Sequence, residues 1–291
     1  MRWVIPAALL LIVACGGEAS NEAPQTATAP TTTAAPTPSW TPLPPRAFRV
    51  PHLAQDAFVF DEAGVVLAKY EWGTAYNPTT ISQMAIVDYA QQDFDRFRAQ
   101  LSWLTENVRY RQPGGAAVWE YLFPYEPYQM TVPWISGLAQ GNMLVVLWEA
   151  YGLTGDAQYR QMAEATLLSF QLPVDEGGVA HPSGWFEEYA RPGGPETHVL
   201  NGHLYAVQGL QYYYEQTGDE RAKRLYERGL AVAKAALPVL DLGDCVAYDG
   251  SRSGPGPIYA TGVVVDQLWH FFETTGDYEL YNYALRWAAG C

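Results

Sequence analysis

The chain has 291 residues, of which 48% are hydrophobic and 14% aromatic, and its formal net charge is −14. This length and composition can bury one large core, so we expect a single folded domain. The negative charge argues against nucleic acid or an anionic membrane surface as the main partner, because the long-range field would repel both. Ten Trp and twenty Tyr favour a carbohydrate partner, since amphipathic aromatic side chains can stack on sugar rings.

The N-terminus has the composition of an export signal. A positive start at Met1-Arg2 precedes an apolar run, residues 4–13, that is too short to span a bilayer as a mature helix. The run ends in Ile12-Val13-Ala14-Cys15, which resembles the lipobox of bacterial lipoproteins. The resemblance implies a signal peptide over residues 1–14, a lipidated Cys15, and a place in the cell envelope. The protein would then be anchored outside the cytoplasmic membrane or in the outer membrane and touch it only through the lipid. A plain secretory signal with a chance cysteine is the alternative.

Residues 15–47 form a Thr/Ala/Pro/Ser-rich tract, which we expect to be a disordered tether before a folded domain over residues 48–291. Cys245 and Cys291 could pair in an oxidising compartment. The chain has no Cys-x-x-Cys motif and its histidines are scattered, so the sequence predicts no metal site. These histidines are His52, His181, His198, His203 and His270.

A repeated turn motif predicts the fold. The pattern aromatic-x-x-Thr-Gly-Asp occurs at residues 151–156, 214–219 and 272–277, each time followed by apolar residues at helical spacing. Glycine past a helix end can adopt the left-handed conformation, and the aspartate can cap the next helix. We expect a fourth hairpin, without this turn, over residues 80–104. Four sequential hairpins predict an all-α fold, an α/α toroid or an incomplete one. The strand-like pieces, residues 58–67 and a few near Val118, are too short and isolated for a mixed α/β fold.

The repeat also predicts where a cleft lies. Because short turns close the hairpins at one end, the longer connections, residues 109–134, 173–202 and 238–259, must lie at the other end. One rim therefore collects tyrosines, carboxylates and arginines, and we place a cleft there. The loop over residues 177–202 holds Glu188 beside Tyr189, a pair suited to acid–base chemistry. A buried cluster that caps this loop is the alternative.

Five motifs occur in order along the chain. They are Tyr76-Asn77-Pro78-Thr79-Thr80-Ile81-Ser82-Gln83, Trp134-Ile135-Ser136-Gly137-Leu138-Ala139-Gln140-Gly141, Trp185-Phe186-Glu187-Glu188-Tyr189, Val199-Leu200-Asn201-Gly202 and Asp241-Leu242-Gly243. Together they resemble the C-terminal helical domain of the D-glucuronyl C5-epimerases, over most of residues 70–288. The resemblance implies that a proton is taken from C5 of a uronic acid in a polysaccharide and another is delivered to the opposite face, converting glucuronate to iduronate without a cofactor.

The resemblance implies the catalytic residues. Glu188 and Tyr189 match the family's catalytic glutamate and tyrosine, and Glu188 would be the base. We expect burial to raise the pKa of the glutamate toward neutral, and a nearby cation to lower the pKa of the tyrosine. Tyr248 would be a second catalytic tyrosine. Tyr259 would be a third, although matching it requires a one-residue shift and it could instead be a plain aromatic at a helix start.

The substrate-binding residues follow from the same resemblance. Where the family has Tyr-Asp-Leu-Arg-His, this chain reads Tyr248-Asp249-Gly250-Ser251-Arg252, so the arginine is displaced and the histidine absent. Arg252 would still bind the substrate carboxylate, because a guanidinium suits that group. Structural hydrogen bonding is the alternative for Asn201 and the two glutamines among the further candidates, and core packing for Tyr76 and Trp134. These candidates are Glu187, Asn201, Tyr76, Trp134, Gln83 and Gln140.

Two other classes of function remain open. A hydrolase on the same architecture would pair Glu187 or Glu188 with Asp249 or Glu126, and a uronate lyase would share the C5 proton abstraction but expel the C4 substituent. A non-catalytic glycan-binding lipoprotein would also suit a tethered domain with an aromatic cleft and an altered Tyr248–Arg252 loop.

Overall fold

The computed structural model describes residues 57–112, 114–251 and 258–290. The expected signal peptide, Cys15 and the tether lie outside these residues. The described chain is mostly helical, with eight α-helices and five short strands. The helices are Pro78–Ala90 (α1), Phe94–Asn107 (α2), Gly137–Thr154 (α3), Ala157–Ser169 (α4), Leu200–Thr217 (α5), Glu220–Leu240 (α6), Ile258–Thr275 (α7) and Tyr278–Gly290 (α8).

The helices pair as four antiparallel hairpins, α1–α2, α3–α4, α5–α6 and α7–α8, as the sequence predicts. The first helices of the hairpins, α1, α3, α5 and α7, also pack side by side in chain order. Each second helix packs mainly on its own partner. This two-layer order is that of an α/α toroid, and it confirms the predicted fold class.

The three Thr-Gly-Asp turns share one set of hydrogen bonds, shown by the first of them. Gly155 is left-handed, with φ 70°, and its N–H donates to the Tyr151 carbonyl at the end of α3. Thr154 Oγ1 accepts from the Asp156 N–H, and the Asp156 carboxylate accepts from the Gln158 N–H in the first turn of α4. Equivalent bonds form at Gly218 and at Gly276. The motif therefore ends one helix and caps the next within three residues.

The predicted fourth hairpin has a related turn without glycine. Gln92 takes the positive φ, 60°, and the Asp93 carboxylate caps α2 by accepting from the Arg96 N–H. The last predicted long connection starts later than the sequence suggests, because Pro238 lies inside the final turn of α6.

Burial separates the two helix layers. The first eleven residues of α3 are all buried, because this helix packs against α1, α4 and α5. In contrast, α6 buries one stripe at helical spacing, including Ala222, Leu230 and Leu237. The helices α3 and α5 approach most closely at two glycines: a Cβ on Gly209 would lie 2.2 Å from the Gly141 carbonyl oxygen.

The strands form two small antiparallel sheets beside the helices. The first sheet contains Phe58–Phe60 (β1), Val66–Tyr70 (β2) and Gly73–Ala75 (β3), and the second contains Val108–Arg111 (β4) and Ala116–Trp119 (β5). The strand-like stretch predicted as one piece is thus a hairpin. The second sheet leads from α2 into the long connection before α3.

Two further observations bear on the prediction that the protein is exported to the cell envelope. Within the part of the chain that the structure describes, no helix combines the length and apolar character needed to cross a membrane. Cys245 is disulfide-bonded, and its expected partner, Cys291, lies outside the described residues.

Candidate active site

The loop that carries Glu188 and Tyr189 is fixed at both ends by backbone hydrogen bonds. On one side, the Glu187 carbonyl accepts from the N–H of Gly137, the first residue of α3, and the Glu187 N–H donates to the Val179 carbonyl. On the other, Ile135 and Ala190 exchange both of their backbone hydrogen bonds. Because a bend lies between these anchors, two consecutive side chains can reach the same site.

Glu188 lies in a pocket against the first turn of α5. Its side chain packs directly on Gly202, where a Cβ would lie 2.1 Å from Glu188 Oε2 and 2.5 Å from its Cβ. The carboxyl is buried, and Oε2 has no hydrogen-bond partner. Burial raises the pKa of Glu188 to about 7, with the Glu187 charge adding to the rise and an interaction with the Tyr189 hydroxyl opposing it. The pKa of this carboxyl is therefore shifted toward neutral, as the sequence analysis expects for a buried glutamate.

Tyr189 is the centre of an aromatic cluster. Its ring stacks on Tyr128, with centroids 4.5 Å apart, and on Tyr125 at 5.1 Å, while Trp134 packs at 5.6 Å. Burial raises the pKa of Tyr189 well above its ordinary value, and the charges of Glu188 and Tyr248 add to the effect. Among the described residues the groups that shift this pKa are phenols and a carboxylate, which raise it, whereas Arg252, the cation expected to lower it, lies outside them. A raised pKa keeps the hydroxyl protonated at neutral pH.

The loop between α6 and α7 closes one side of this cluster. Tyr248 packs against it and shares a hydrogen bond with Tyr189. The next residue, Asp249, accepts from the Tyr128 hydroxyl at 2.5 Å through one oxygen and from Ser251 through the other. Asp249 is thereby engaged on both oxygens, and its contact with Tyr128 joins two of the three long connections.

Glu187 is predicted to bind substrate, but the structure uses its carboxylate to hold a loop. The side chain is 2% exposed. Its Oε2 accepts from the Thr197 N–H, the Thr197 hydroxyl and the His198 N–H. These bonds attach Thr197 and His198, which precede α5, to the loop that carries Glu188 and Tyr189. Glu187 therefore holds these two parts of the chain together.

Asn201 and Tyr205 lie four residues apart in α5. Asn201 is buried, and its Oδ1 has no hydrogen-bond partner. Burial raises the pKa of Tyr205, and the charges of Asp266 and Glu188 add to that rise. Sequence reasoning missed Tyr205, although its spacing from Asn201 puts both on one helix face.

The other predicted substrate-binding residues lie in different environments. Trp134 is within the cluster, 3.8 Å from the Tyr121 ring, and donates to the Phe123 carbonyl. Gln140 departs from its prediction: it is fully buried, and its amide bonds to Trp119, Ala117 and Ser169. Both the oxygen and the nitrogen of that amide form hydrogen bonds inside the protein, which agrees with the alternative of structural hydrogen bonding for Gln140.

Tyr76 and Gln83 belong to the α1 end of the molecule. The Tyr76 hydroxyl donates to Asp61, and its ring packs near Trp103. These two neighbours belong to the turn after β1 and to α2. Gln83 is half-buried in α1.

Two predicted residues cannot be placed by their side chains. Arg252 lies outside the described residues, and Tyr259 lies in the first turn of α7. A cation that sequence reasoning did not single out, Arg191, follows Tyr189 by two residues, and its Nε is buried without a hydrogen-bond partner.

The structure also brings together residues that the sequence leaves scattered. His181 and His198 have ring centroids 4.8 Å apart, and Glu196 lies beside them. One donor atom from each of the three residues lies within 4.8 Å of the others. Two of the histidines that are scattered in the sequence are therefore neighbours in the structure, because the loop folds back between them.

The fold is similar to those of carbohydrate-active enzymes. The structure of Rex8A from Paenibacillus barcinonensis complexed with xylose aligns with a TM-score of 0.55 and 11% identity, covering 80% of this chain and 66% of that chain. A glycoside hydrolase family 76 mannosidase from Bacteroides thetaiotaomicron aligns with a TM-score of 0.51 and 11% identity, covering 75% and 60%. At these identities the likeness concerns the fold alone.

Sequence comparison adds the family. An uncharacterized protein of Methanocaldococcus jannaschii is 32% identical over 177 residues, which are 58% of this chain and 56% of that protein. The D-glucuronyl C5-epimerase of Caenorhabditis elegans is 30% identical over 185 residues, 56% of this chain and 29% of that enzyme. The chain thus spans about half or less of these relatives. The family described as D-glucuronyl C5-epimerase C-terminus matches residues 114–289. Since this match covers more than half of the chain and all of the site around Glu188, the chain belongs to that family.

Proposed function

We propose that this protein epimerises uronic acid residues at C5 within a polysaccharide. Family membership supports an epimerase-type enzyme. The observation that carries the finer proposal is the buried Glu188 carboxyl, with a pKa raised to about 7 and a free oxygen, beside the Tyr189 hydroxyl. Removing a proton next to a carboxylate is difficult, and a base whose pKa lies near the working pH is best suited to it.

In this proposal Glu188 and Tyr189 act in opposite directions. The ionised Glu188 removes the C5 proton, and the C–H electron pair passes into the substrate carboxylate. Tyr189, whose raised pKa keeps it protonated, delivers a proton to the other face of C5 when the sugar ring enters between the two side chains and replaces their contact. Tyr248 shares a hydrogen bond with Tyr189 and can return a proton to it. The Tyr128 and Tyr125 rings hold the Tyr189 ring in one orientation, so little ordering is needed in the transition state.

The substrate carboxylate needs a cation, because it carries more negative charge in the transition state than in the ground state. Arg252 is the residue that the family resemblance assigns. Arg191 is a second candidate, since its guanidinium has a buried, unpartnered Nε two residues from Tyr189. In a chain with a net charge of −14, such local cations must offset the overall repulsion of an anionic polymer.

The hydrolase alternative is weakened by one contact. It requires a second carboxylate to act on the sugar, and Asp249 already accepts from Tyr128 and Ser251 on its two oxygens. A lyase would use the same base, so the products must distinguish it from an epimerase.

The test is deuterium incorporation at C5. The full chain and the Glu188→Gln and Tyr189→Phe variants are incubated in heavy water with a panel of uronate-containing polysaccharides, and C5 deuterium is measured by NMR. The controls are Glu176→Gln, an exposed carboxylate of the same loop, and Tyr110→Phe, an exposed tyrosine on β4.

We expect exchange in the wild type and both controls, and at least a 100-fold loss in Glu188→Gln and Tyr189→Phe. Unsaturated products that absorb in the ultraviolet would select the lyase, and new reducing ends would select the hydrolase. Binding of a polymer without any exchange would favour the glycan-binding alternative.

A further inference from the structure

Two histidines and a glutamate converge on the rim of the molecule, outside the cluster around Tyr189. His181 lies before Glu188 in the loop, whereas Glu196 and His198 lie after it. In the structure His181 Nε2 is 2.9 Å from Glu196 Oε1, and His181 Nδ1 is 3.4 Å from His198 Nε2. One donor atom of each residue lies within 4.8 Å of the other two.

This spacing is close to that required by a small cation. Zinc binds nitrogen and oxygen ligands at about 2.0–2.2 Å with tetrahedral geometry, so its donor atoms lie roughly 3.3–3.5 Å apart. His181 Nδ1 and His198 Nε2 already have this separation, and an ion bound there would replace the contacts of His181 Nδ1 with the hydroxyl and N–H of Ser183. Glu196 Oε1 contacts the other ring nitrogen of His181, Nε2, and its side chain is 64% exposed, so it is free to rotate toward the pair.

A second observation points to a cation at the same place. Glu187 Oε1 is buried and has no hydrogen-bond partner, and it lies 3.4 Å from His198 Nε2. A buried carboxylate oxygen that accepts no hydrogen bond is costly. A metal ion held by His198 would place positive charge in front of it.

We propose that His181, Glu196 and His198 bind one divalent transition-metal ion, with zinc as the best match, and that this ion clamps the loop carrying Glu188 and Tyr189. Two imidazoles and one carboxylate are a donor set that zinc favours, and a site at the rim leaves the fourth position to water. The ion would join the chain before the catalytic pair to the chain after it. This inference is independent of the epimerase proposal.

The first arm of the test measures binding. The metal-free full chain is titrated with zinc sulfate by calorimetry, and cobalt is used as a second probe because its visible spectrum reports coordination geometry. Each titration is repeated with His181→Gln, Glu196→Gln and His198→Gln, and with Glu176→Gln as the control carboxylate of the same loop. Because Glu196 is exposed, its variant tests the site without disturbing the core.

We expect one zinc per wild-type chain, a tetrahedral cobalt spectrum, and affinity reduced by about 100-fold in the two histidine variants and at least tenfold in Glu196→Gln. Affinity in Glu176→Gln should be unchanged. Either no stoichiometric binding, or equal affinity in wild type and the three variants, would overturn the site.

The second arm measures the clamp. Amide hydrogen exchange over residues 177–199 is followed with and without zinc, since closing a link across a loop suppresses its local opening. At a zinc concentration that saturates only the wild type, we expect at least tenfold slower exchange with zinc in the wild type and no effect of zinc in His181→Gln or His198→Gln. Stoichiometric binding with unchanged exchange would overturn the clamp. Neither part of the test measures enzymatic activity. A negative result here would therefore leave the epimerase proposal untouched, and the reverse also holds.

Discussion

At the scale of single residues, desolvation at Glu188 sets a pH dependence of stability. Burial raises its pKa from 4.5 in the free side chain to about 7 in the folded protein. Between these values the folded state holds a proton that the unfolded state releases, so this group lowers stability as pH rises from about 4.5 to about 7. The unfolding free energy of the wild type should therefore fall between pH 5 and pH 8. Glu188→Gln should make that fall smaller by roughly 2 kcal/mol, because the variant has no carboxyl to ionise at this position. Urea unfolding at both pH values measures it, and an equal loss in both proteins would contradict the raised pKa.

Because Gly202 has no side chain, it leaves the space that the Glu188 carboxyl occupies. A Cβ there would lie 2.1 Å from Glu188 Oε2 and 2.5 Å from its Cβ, so Gly202→Ala must displace Glu188. We expect a loss of about 1–3 kcal/mol in stability and a fall in C5 exchange of at least tenfold. The matched control is Gly152→Ala, in α3, where a Cβ would meet no atom within 4 Å. That variant should gain about 0.5–1 kcal/mol from helix propensity and keep its activity. Equal effects of the two substitutions would exclude the proposed packing on Glu188.

At the scale of secondary-structure elements, the Thr-Gly-Asp turn couples two helices. Asp156 caps α4 through its carboxylate, and its own N–H donates to Thr154 Oγ1. We expect Asp156→Ala to cost about 1 kcal/mol, because the first turn of α4 loses its acceptor. Gln161→Ala, at an exposed position of the same helix, should change stability by less than about 0.5 kcal/mol. Chemical unfolding of both variants checks the difference, and a neutral Asp156→Ala would show that the cap adds nothing.

At the scale of the whole molecule, the first sheet extends the aromatic cluster of Tyr189 to the surface. Trp72 is 59% exposed, stacks on Tyr70 at 4.8 Å, and packs with Phe123, which joins the cluster of Tyr189 through Trp134. Under the proposed function, a polysaccharide bound at Glu188 and Tyr189 would stack on Trp72 beyond the reacting sugar. We expect Trp72→Ala to raise KM for a polysaccharide about five- to tenfold with kcat unchanged.

Two comparisons make this a specific test. Short oligosaccharides should be unaffected by Trp72→Ala, because they do not reach beyond the reacting sugar. Tyr110→Ala, an exposed aromatic on β4, should leave KM unchanged for every substrate. A change in kcat, or an equal effect on short substrates, would place Trp72 within the reacting subsite.

The sequence by itself determined the hairpins, their turns and the rim that holds the tyrosines and carboxylates. These features depend on local rules: apolar residues at helical spacing, a glycine that takes positive φ, and an aspartate that caps the following helix. Glu188 and Tyr189 stood out because their loop is long, irregular and rich in functional groups. The order of the motifs indicated the family, although the family match begins at residue 114 rather than near 70.

Only the tertiary structure decided which of these groups are desolvated and which already form hydrogen bonds within the protein. The burial of Glu188 depends on contact with Gly202 in another element, and the raised pKa of Tyr189 depends on phenols from two distant connections. The same is true of Gln140, whose amide is used by β5 and α4, and of His181 and His198, which meet only when their loop closes. Burial and proximity arise from contacts between residues far apart in the chain, and a local pattern carries no information about those contacts.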